Sequence, residues 1–212
     1  MFKALIFDMD GVLIDSMPSH VSIISELLAE VGVSVDARII YEMEGAKTID
    51  IVNKLIEKDG TDPSTLDLDG ILAEYRLEFE KRASFTPFEN LASILPLLKE
   101  KFLLAVVSGA DGSIVHSAIN SLFPSVFDVV ITGDDVEYAK PNPDPFLKAA
   151  EMLNVENESC IVIENAIMGV EAAKRAGMYC VAVPTYIEAS LLSCADVLFD
   201  THSELVEFLH SL

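Results

Sequence analysis

Apolar positions follow two rhythms along this chain. Residues 4–7, 103–107, 129–132, 160–163 and 179–183 form short, largely apolar runs, which predict strands buried on both faces of a sheet. Between and around them, residues 91–101, 112–122, 144–153 and 166–176 read as helices, and a final short strand near 197–199 precedes a helix over 203–209. Strands alternating with helices predict right-handed crossovers. The fold class is therefore α/β, a doubly wound parallel sheet with helices on both faces.

The first strand is separated from this regular part by a different pattern. Residues 17–31 (Val21, Ile24, Leu27, Leu28, Val31), 48–58 (Ile49, Val52, Leu55, Ile56) and 64–82 carry helical spacing without a convincing strand, punctuated by Gly32, Gly45 and Gly60. The expected organisation is an α/β core of residues 1–14 and 86–212, with an all-helical cap over residues 15–85. A chain of 212 residues that is 51% hydrophobic can bury a core of that size and carry the insertion.

Composition narrows the partners. A formal net charge of -21 argues against nucleic acid and against an anionic membrane surface, both of which are bound through clustered Lys and Arg. No apolar run approaches the roughly 18 to 20 residues that span a bilayer, and no signal-like segment opens the sequence, so a soluble, cytoplasmic protein is expected, a monomer or weak homodimer. Cys160, Cys180 and Cys194 have no metal-ligand spacing and are expected to be buried free thiols in a reducing compartment.

In an open α/β sheet, ligands sit outside the carboxyl ends of the strands, so the chemistry depends on what each strand ends in. The first ends in Asp8-Met9-Asp10-Gly11. Side chains alternate along a strand, which sends Asp8 and Asp10 to one side and Met9 to the other. Two carboxylates at the end of an apolar run are costly unless a cation faces them, and Mg²⁺ takes such oxygen ligands together with a substrate phosphate. A calcium-binding EF-hand loop would need further oxygen ligands, whereas Val12, Leu13 and Ile14 follow. The strand over 103–107 ends in Ser108-Gly109-Ala110, read either as a phosphate cradle or as an ordinary turn. Lys140 is braced by Pro141, Pro143 and Pro145, and is placed to neutralise an aspartate and a transferring phosphoryl group. Glu164-Asn165 ends the strand over 160–163 and offers further oxygens for a cation, with helix N-capping a second role for Asn165.

In order and spacing, Asp8-Met9-Asp10-Gly11-Val12, Ser108, Lys140-Pro141 and Glu164-Asn165 resemble the four motifs of the haloacid dehalogenase-like hydrolases. The insertion resembles the cap of the branch that contains β-phosphoglucomutase and the small sugar-phosphate and phosphoglycolate phosphatases. The resemblance implies Asp8 as nucleophile, Asp10 as general acid and base, Lys140 as the catalytic cation, and Ser108 with Gly109 as phosphate binders. It further implies Mg²⁺ held by Asp8, Asp10, Glu164 and Asn165, and substrate contacts from the cap through His20 and Lys47. The implied activity is Mg²⁺-dependent hydrolysis of a small phosphorylated metabolite, a sugar phosphate in the first place, through an aspartyl phosphate. A phosphomutase is the alternative, and a non-catalytic phospho-receiver or binding protein a third reading. The mutase reading is weakened because 44–49 holds no arginine and Asp111 stands where a lysine is expected. Relatives of this branch usually carry Asp where this chain has Asn165, which predicts weaker Mg²⁺ affinity than in an Asp-bearing relative.

Overall fold

The computed structural model describes residues 1–82 and 85–212. Among these, a six-stranded parallel sheet is built from β1 (Ala4–Asp8), β4 (Leu103–Val107), β5 (Val129–Ile131), β6 (Cys160–Glu164), β7 (Tyr179–Ala182) and β8 (Val197–Leu198), in the order β5-β4-β1-β6-β7-β8. β1 lies in the middle, and both its faces are covered. Leu5 and Phe7 pack with Leu91, Leu95, Ile119 and Leu205 on one side, while Ala4 and Ile6 pack with Phe146, Ala149 and Val170 on the other. An unbroken apolar run is what a strand with two buried faces requires.

Register sets the site. Asp8 pairs with Val107, so Ser108 follows one step beyond it; Phe7 pairs with Ile163, which puts Glu164 level with Asp8. Chemistry from three strands thus meets at one edge. The helices α5 (Glu89–Lys99), α6 (Gly112–Leu122), α7 (Asp144–Leu153), α8 (Ile167–Arg175) and α9 (His202–Ser211) complete the doubly wound layers. Pro145 falls in the first turn of α7, and Thr201 opens α9 with a capping box to Glu204.

The inserted segment carries α1 (Met17–Glu30), α2 (Ala37–Glu42), α3 (Thr48–Asp59) and α4 (Leu68–Arg82). Their apolar faces form a cluster of their own, around Ile24, Leu28, Val52, Leu55, Tyr75 and Phe79, to which the sheet side contributes Ile114. Residues 83 and 84 of the expected insertion lie outside the described residues. Two features differ from the sequence expectation. A two-residue antiparallel pair, β2 (Ile14–Asp15) with β3 (Thr86–Pro87), brackets the insertion, and α2 is an additional helix of six residues started by the Asp36 side chain accepting from the Arg38 N–H. Both are too short to leave a periodic signal.

Among the described residues no helix is long and apolar enough to cross a membrane. All three cysteines are free; Cys160 and Cys180 are buried as expected, whereas Cys194, which lies outside the apolar strands, is exposed, correcting the expectation for that thiol. Burial pushes the Cys160 thiol up to about 11 and the Cys180 thiol up as well. Titration with a thiol-reactive chromogen at neutral pH is expected to report Cys194 alone in the native protein and all three thiols in denaturant. Rapid reaction of a second native thiol would contradict this packing.

Candidate active site

Asp8, Asp10, Lys140 and Glu164 are all nearly or completely buried at the carboxyl edge of the sheet. Charged groups are seldom buried unless paired, and here the pairing is explicit. The Lys140 ammonium donates to Asp8 Oδ1, to Glu164 Oε1 at 2.7 Å and to the Val107 carbonyl at 3.3 Å, which uses its three protons. Burial would lower its proton affinity, but Asp8 and Glu164 more than offset this and hold it above the ordinary lysine value. Glu164 is fixed in turn, since its Oε2 accepts the backbone N–H groups of Asn165 at 2.7 Å and Ala166 at 2.9 Å. Both Glu164 oxygens are therefore engaged, and in this arrangement the residue orients Lys140.

Gly169 makes room for that carboxylate. A Cβ at this position would lie 1.6 Å from Glu164 Oε1. Gly169→Ala is expected to cost about 1–3 kcal/mol through forced displacement of the buried carboxylate, read as a lower urea midpoint at unchanged slope. An unchanged midpoint would show that the pocket yields freely.

Asp10 sits just beyond β1 in a different setting. Its Oδ1 accepts from the Ser16 hydroxyl and faces His20 Nε2 at 3.3 Å, while its Oδ2 accepts from the Ser108 hydroxyl at 3.1 Å. Burial alone would raise its proton affinity, but His20 and the two hydroxyls hold it below the usual carboxylate range. Asp8 goes the other way. Burial pushes its carboxyl well above the ordinary value, Lys140 opposes this, and the charges of Glu164 and Asp10 add to the rise. His20 is held by the Tyr75 hydroxyl at Nδ1, and its ring packs on Phe79 with centroids 4.2 Å apart.

A cavity between the sheet edge and the insertion is lined by Asp8, Asp10, His20, Glu44, Thr48, Tyr75 and Gly109, with Met17, Ile24, Ile40 and Ile51 as its apolar wall. The residues expected from the sequence thus converge apart from Lys47, and Asn165 joins them without its expected capping role. Lys47 lines a neighbouring cavity with Arg76, Asp111 and Asp134, and donates to the Val136 carbonyl at 2.7 Å. Asn165 does not cap α8, whose N-cap is Ala166; its amide instead donates to Glu44 Oε1 at 2.9 Å. Glu44, Ser16, Thr48 and Tyr75 are additions that the sequence did not single out. Glu44 stands between helices next to a glycine, where a solvated glutamate is the ordinary expectation, and only its burial distinguishes it.

Among the described residues, two buried oxygens of this site have no hydrogen-bond partner, Asp8 Oδ2 and Asn165 Oδ1. Unsatisfied buried acceptors are costly and call for a donor or a cation. No three His, Cys, Asp or Glu side chains converge as a ready metal cluster among the described residues. A carboxylate and an amide oxygen are nonetheless hard donors of the kind Mg²⁺ takes, so the residues present fit that ion.

A parallel, doubly wound sheet with its acidic and basic side chains gathered at the carboxyl edge, under a helical insertion, defines a capped α/β enzyme. The chain belongs to the haloacid dehalogenase-like hydrolase family, whose model matches residues 5–183. It is 31% identical over 206 residues to validoxylamine A 7'-phosphate phosphatase of Streptomyces hygroscopicus subsp. limoneus, covering 97% of this chain and 96% of that protein. It is also 31% identical over 185 residues to fructose-1-phosphate phosphatase YqaB of Escherichia coli, covering 86% and 96%. The solved structure of CbbY from Rhodobacter sphaeroides in complex with phosphate superimposes with a TM-score of 0.82 at 25% identity, covering 97% of this chain and 96% of that one.

Proposed function

We propose that this protein is a phosphatase that hydrolyses a small phosphorylated metabolite, a sugar phosphate by analogy with its relatives, through a phosphoryl group carried on Asp8. One observation carries the reading: Asp8 and Asp10 open onto one cavity from surroundings that push their proton affinities apart. Two carboxylates so differentiated suit two different tasks.

Asp8 attacks phosphorus, displaces the leaving alcohol oxygen and becomes an aspartyl phosphate, with Lys140 compensating charge on the carboxylate and on the phosphoryl oxygens. Asp10 delivers the proton to the leaving oxygen and takes one from the water that cleaves the aspartyl phosphate. Asp10 is held low while it faces His20 and two hydroxyls; a phosphate dianion beside it raises its proton affinity by like-charge repulsion, which readies it as the acid. Ser108 donates its hydroxyl to a phosphoryl oxygen in place of Asp10, and His20, Thr48 and Tyr75 offer hydrogen bonds to a hydroxylated leaving group. Mg²⁺, held by Asp8 and Asn165, would add positive charge that keeps Asp8 ionised and stabilises the transferring group.

The test is phosphate release from a panel of phosphorylated metabolites in the presence of Mg²⁺, with β-glucose 1-phosphate and a trace of bisphosphate included. Free phosphate from a sugar phosphate is expected. Isomerised sugar phosphate without phosphate release would assign the chain to phosphomutase chemistry, and turnover of nothing in the panel would reject the reading.

A further inference from the structure

One carboxylate of the insertion reaches Asn165 at the edge of the sheet. Glu44 lies in the loop between α2 and α3, yet it is only 3% exposed. A buried glutamate in a loop requires a partner. Its Oε1 accepts from the Asn165 amide at 2.9 Å, and the Oδ1 of that same amide is fully buried without a partner. Lys140, the only buried lysine or arginine among the described residues, is occupied by Asp8 and Glu164.

The loop itself is pressed against the sheet edge. A Cβ on Gly109 would lie 2.3 Å from the Gly45 carbonyl, and one on Gly45 would lie 2.8 Å from Lys140 Cδ. A Cβ on Gly11 would lie 2.1 Å from Asn165 Nδ2, the atom that donates to Glu44. The Asn165 amide is therefore held against both the backbone that follows Asp10 and the carboxylate of Glu44. The Lys140 ammonium faces Asp8 and Glu164, while burial and the negative charges of Asp8, Asp10 and Glu164 push the Glu44 carboxyl well above the ordinary value. The excess of negative charge is what a divalent ion would neutralise.

We propose that Glu44 belongs to the Mg²⁺ site and supplies from the insertion the negative charge that Asn165 does not carry. This rests on the reading of a Mg²⁺-dependent phosphatase given above. Where a fourth-motif aspartate would put its charge on the sheet, this chain divides the position between a neutral amide on the sheet and a carboxylate on the inserted loop. Cation binding then draws on both parts of the molecule, and favours the arrangement in which the loop lies on the sheet edge.

A charge-relocation cycle on the full-length protein tests this, with binding of Mn²⁺ as the probe, followed by loss of the free-ion signal in electron paramagnetic resonance without substrate. Glu44→Gln keeps an acceptor for the Asn165 amide and is expected to weaken Mn²⁺ binding about 10- to 100-fold. Glu44→Gln combined with Asn165→Asp returns one carboxylate to the pair and is expected to restore most of that loss. Mn²⁺ binding by Glu44→Gln at wild-type affinity, or a double variant that binds no better than Glu44→Gln, would overturn the proposal while leaving the phosphatase reading intact. A wild-type protein that binds no Mn²⁺ would overturn both.

Discussion

Asp8→Asn is expected to abolish phosphate release, lowering kcat by about 10⁴-fold or more, the scale seen when a nucleophile that acts as part of a unit is removed. The variant should fold normally. In the native protein the Asp8 carboxyl is buried, and its proton affinity is raised above the ordinary carboxylate value. Removing its charge relieves repulsion from Glu164 and Asp10, and Lys140 keeps Glu164 as its partner at 2.7 Å. Steady-state release of p-nitrophenol from p-nitrophenyl phosphate, alongside a urea melt, separates the two effects. Residual turnover within a hundredfold of wild type in a folded Asp8→Asn protein would remove Asp8 from the nucleophile's role.

Lys140→Met has the largest expected effect on stability. It leaves Asp8 and Glu164 buried side by side with no cation, and breaking a buried pair from one side costs about 3–5 kcal/mol. The sign with pH is specific. A buried carboxyl whose folded proton affinity is raised binds its proton more tightly in the folded than in the unfolded state. Its destabilisation is therefore full at neutral pH and is relieved as pH falls towards the unfolded value near 3.8. The variant should thus lose most stability relative to wild type at pH 7.5 and less at pH 5, in urea melts without added metal. A gap that is constant across that range would mean that lost packing of the lysine stem against Phe146, whose ring centroid is 5.0 Å from the ammonium, accounts for the effect.

The sheet and its edge were legible in the sequence because each strand is an apolar run that stops abruptly at a chemical residue. Asp8, Ser108 and Glu164 each follow such a run, and parallel pairing brings those ends level without further information. Lys140 was legible through its prolines, and its near-complete burial agrees with a held side chain. What could not be read depends on the packing of remote segments. Glu44 becomes part of the site only because the loop around Gly45 lies on Gly109 and Lys140, a contact between elements far apart in sequence. Asn165 reads from the sequence as an oxygen donor to a cation, with helix capping a second role, and nothing local shows that its amide turns to Glu44, a partner 121 residues away. Lys47 fits the pattern of a substrate-facing cap residue, but the Val136 carbonyl draws it to the adjoining cavity with Arg76 and Asp111.

These placements also bear on the balance between water and a second sugar as phosphoryl acceptor. Asp111 is paired with Arg76 of α4 at 3.0 Å, so the two cations nearest the adjoining cavity, Arg76 and Lys47, already have oxygen partners. The Asp111 and Asp134 carboxylates line the same cavity and would oppose a second phosphate dianion there.

Passage of the phosphoryl group through Asp8 leaves an aspartyl phosphate that can be trapped chemically. Acid quenching of the wild-type protein during turnover of p-nitrophenyl phosphate, followed by borohydride reduction and peptide mass spectrometry, converts an aspartyl phosphate to homoserine. Homoserine at position 8, seen only with substrate and absent in Asp8→Asn, is the predicted result. Continued phosphate release with an unmodified Asp8, or with the label on another residue, would contradict the account.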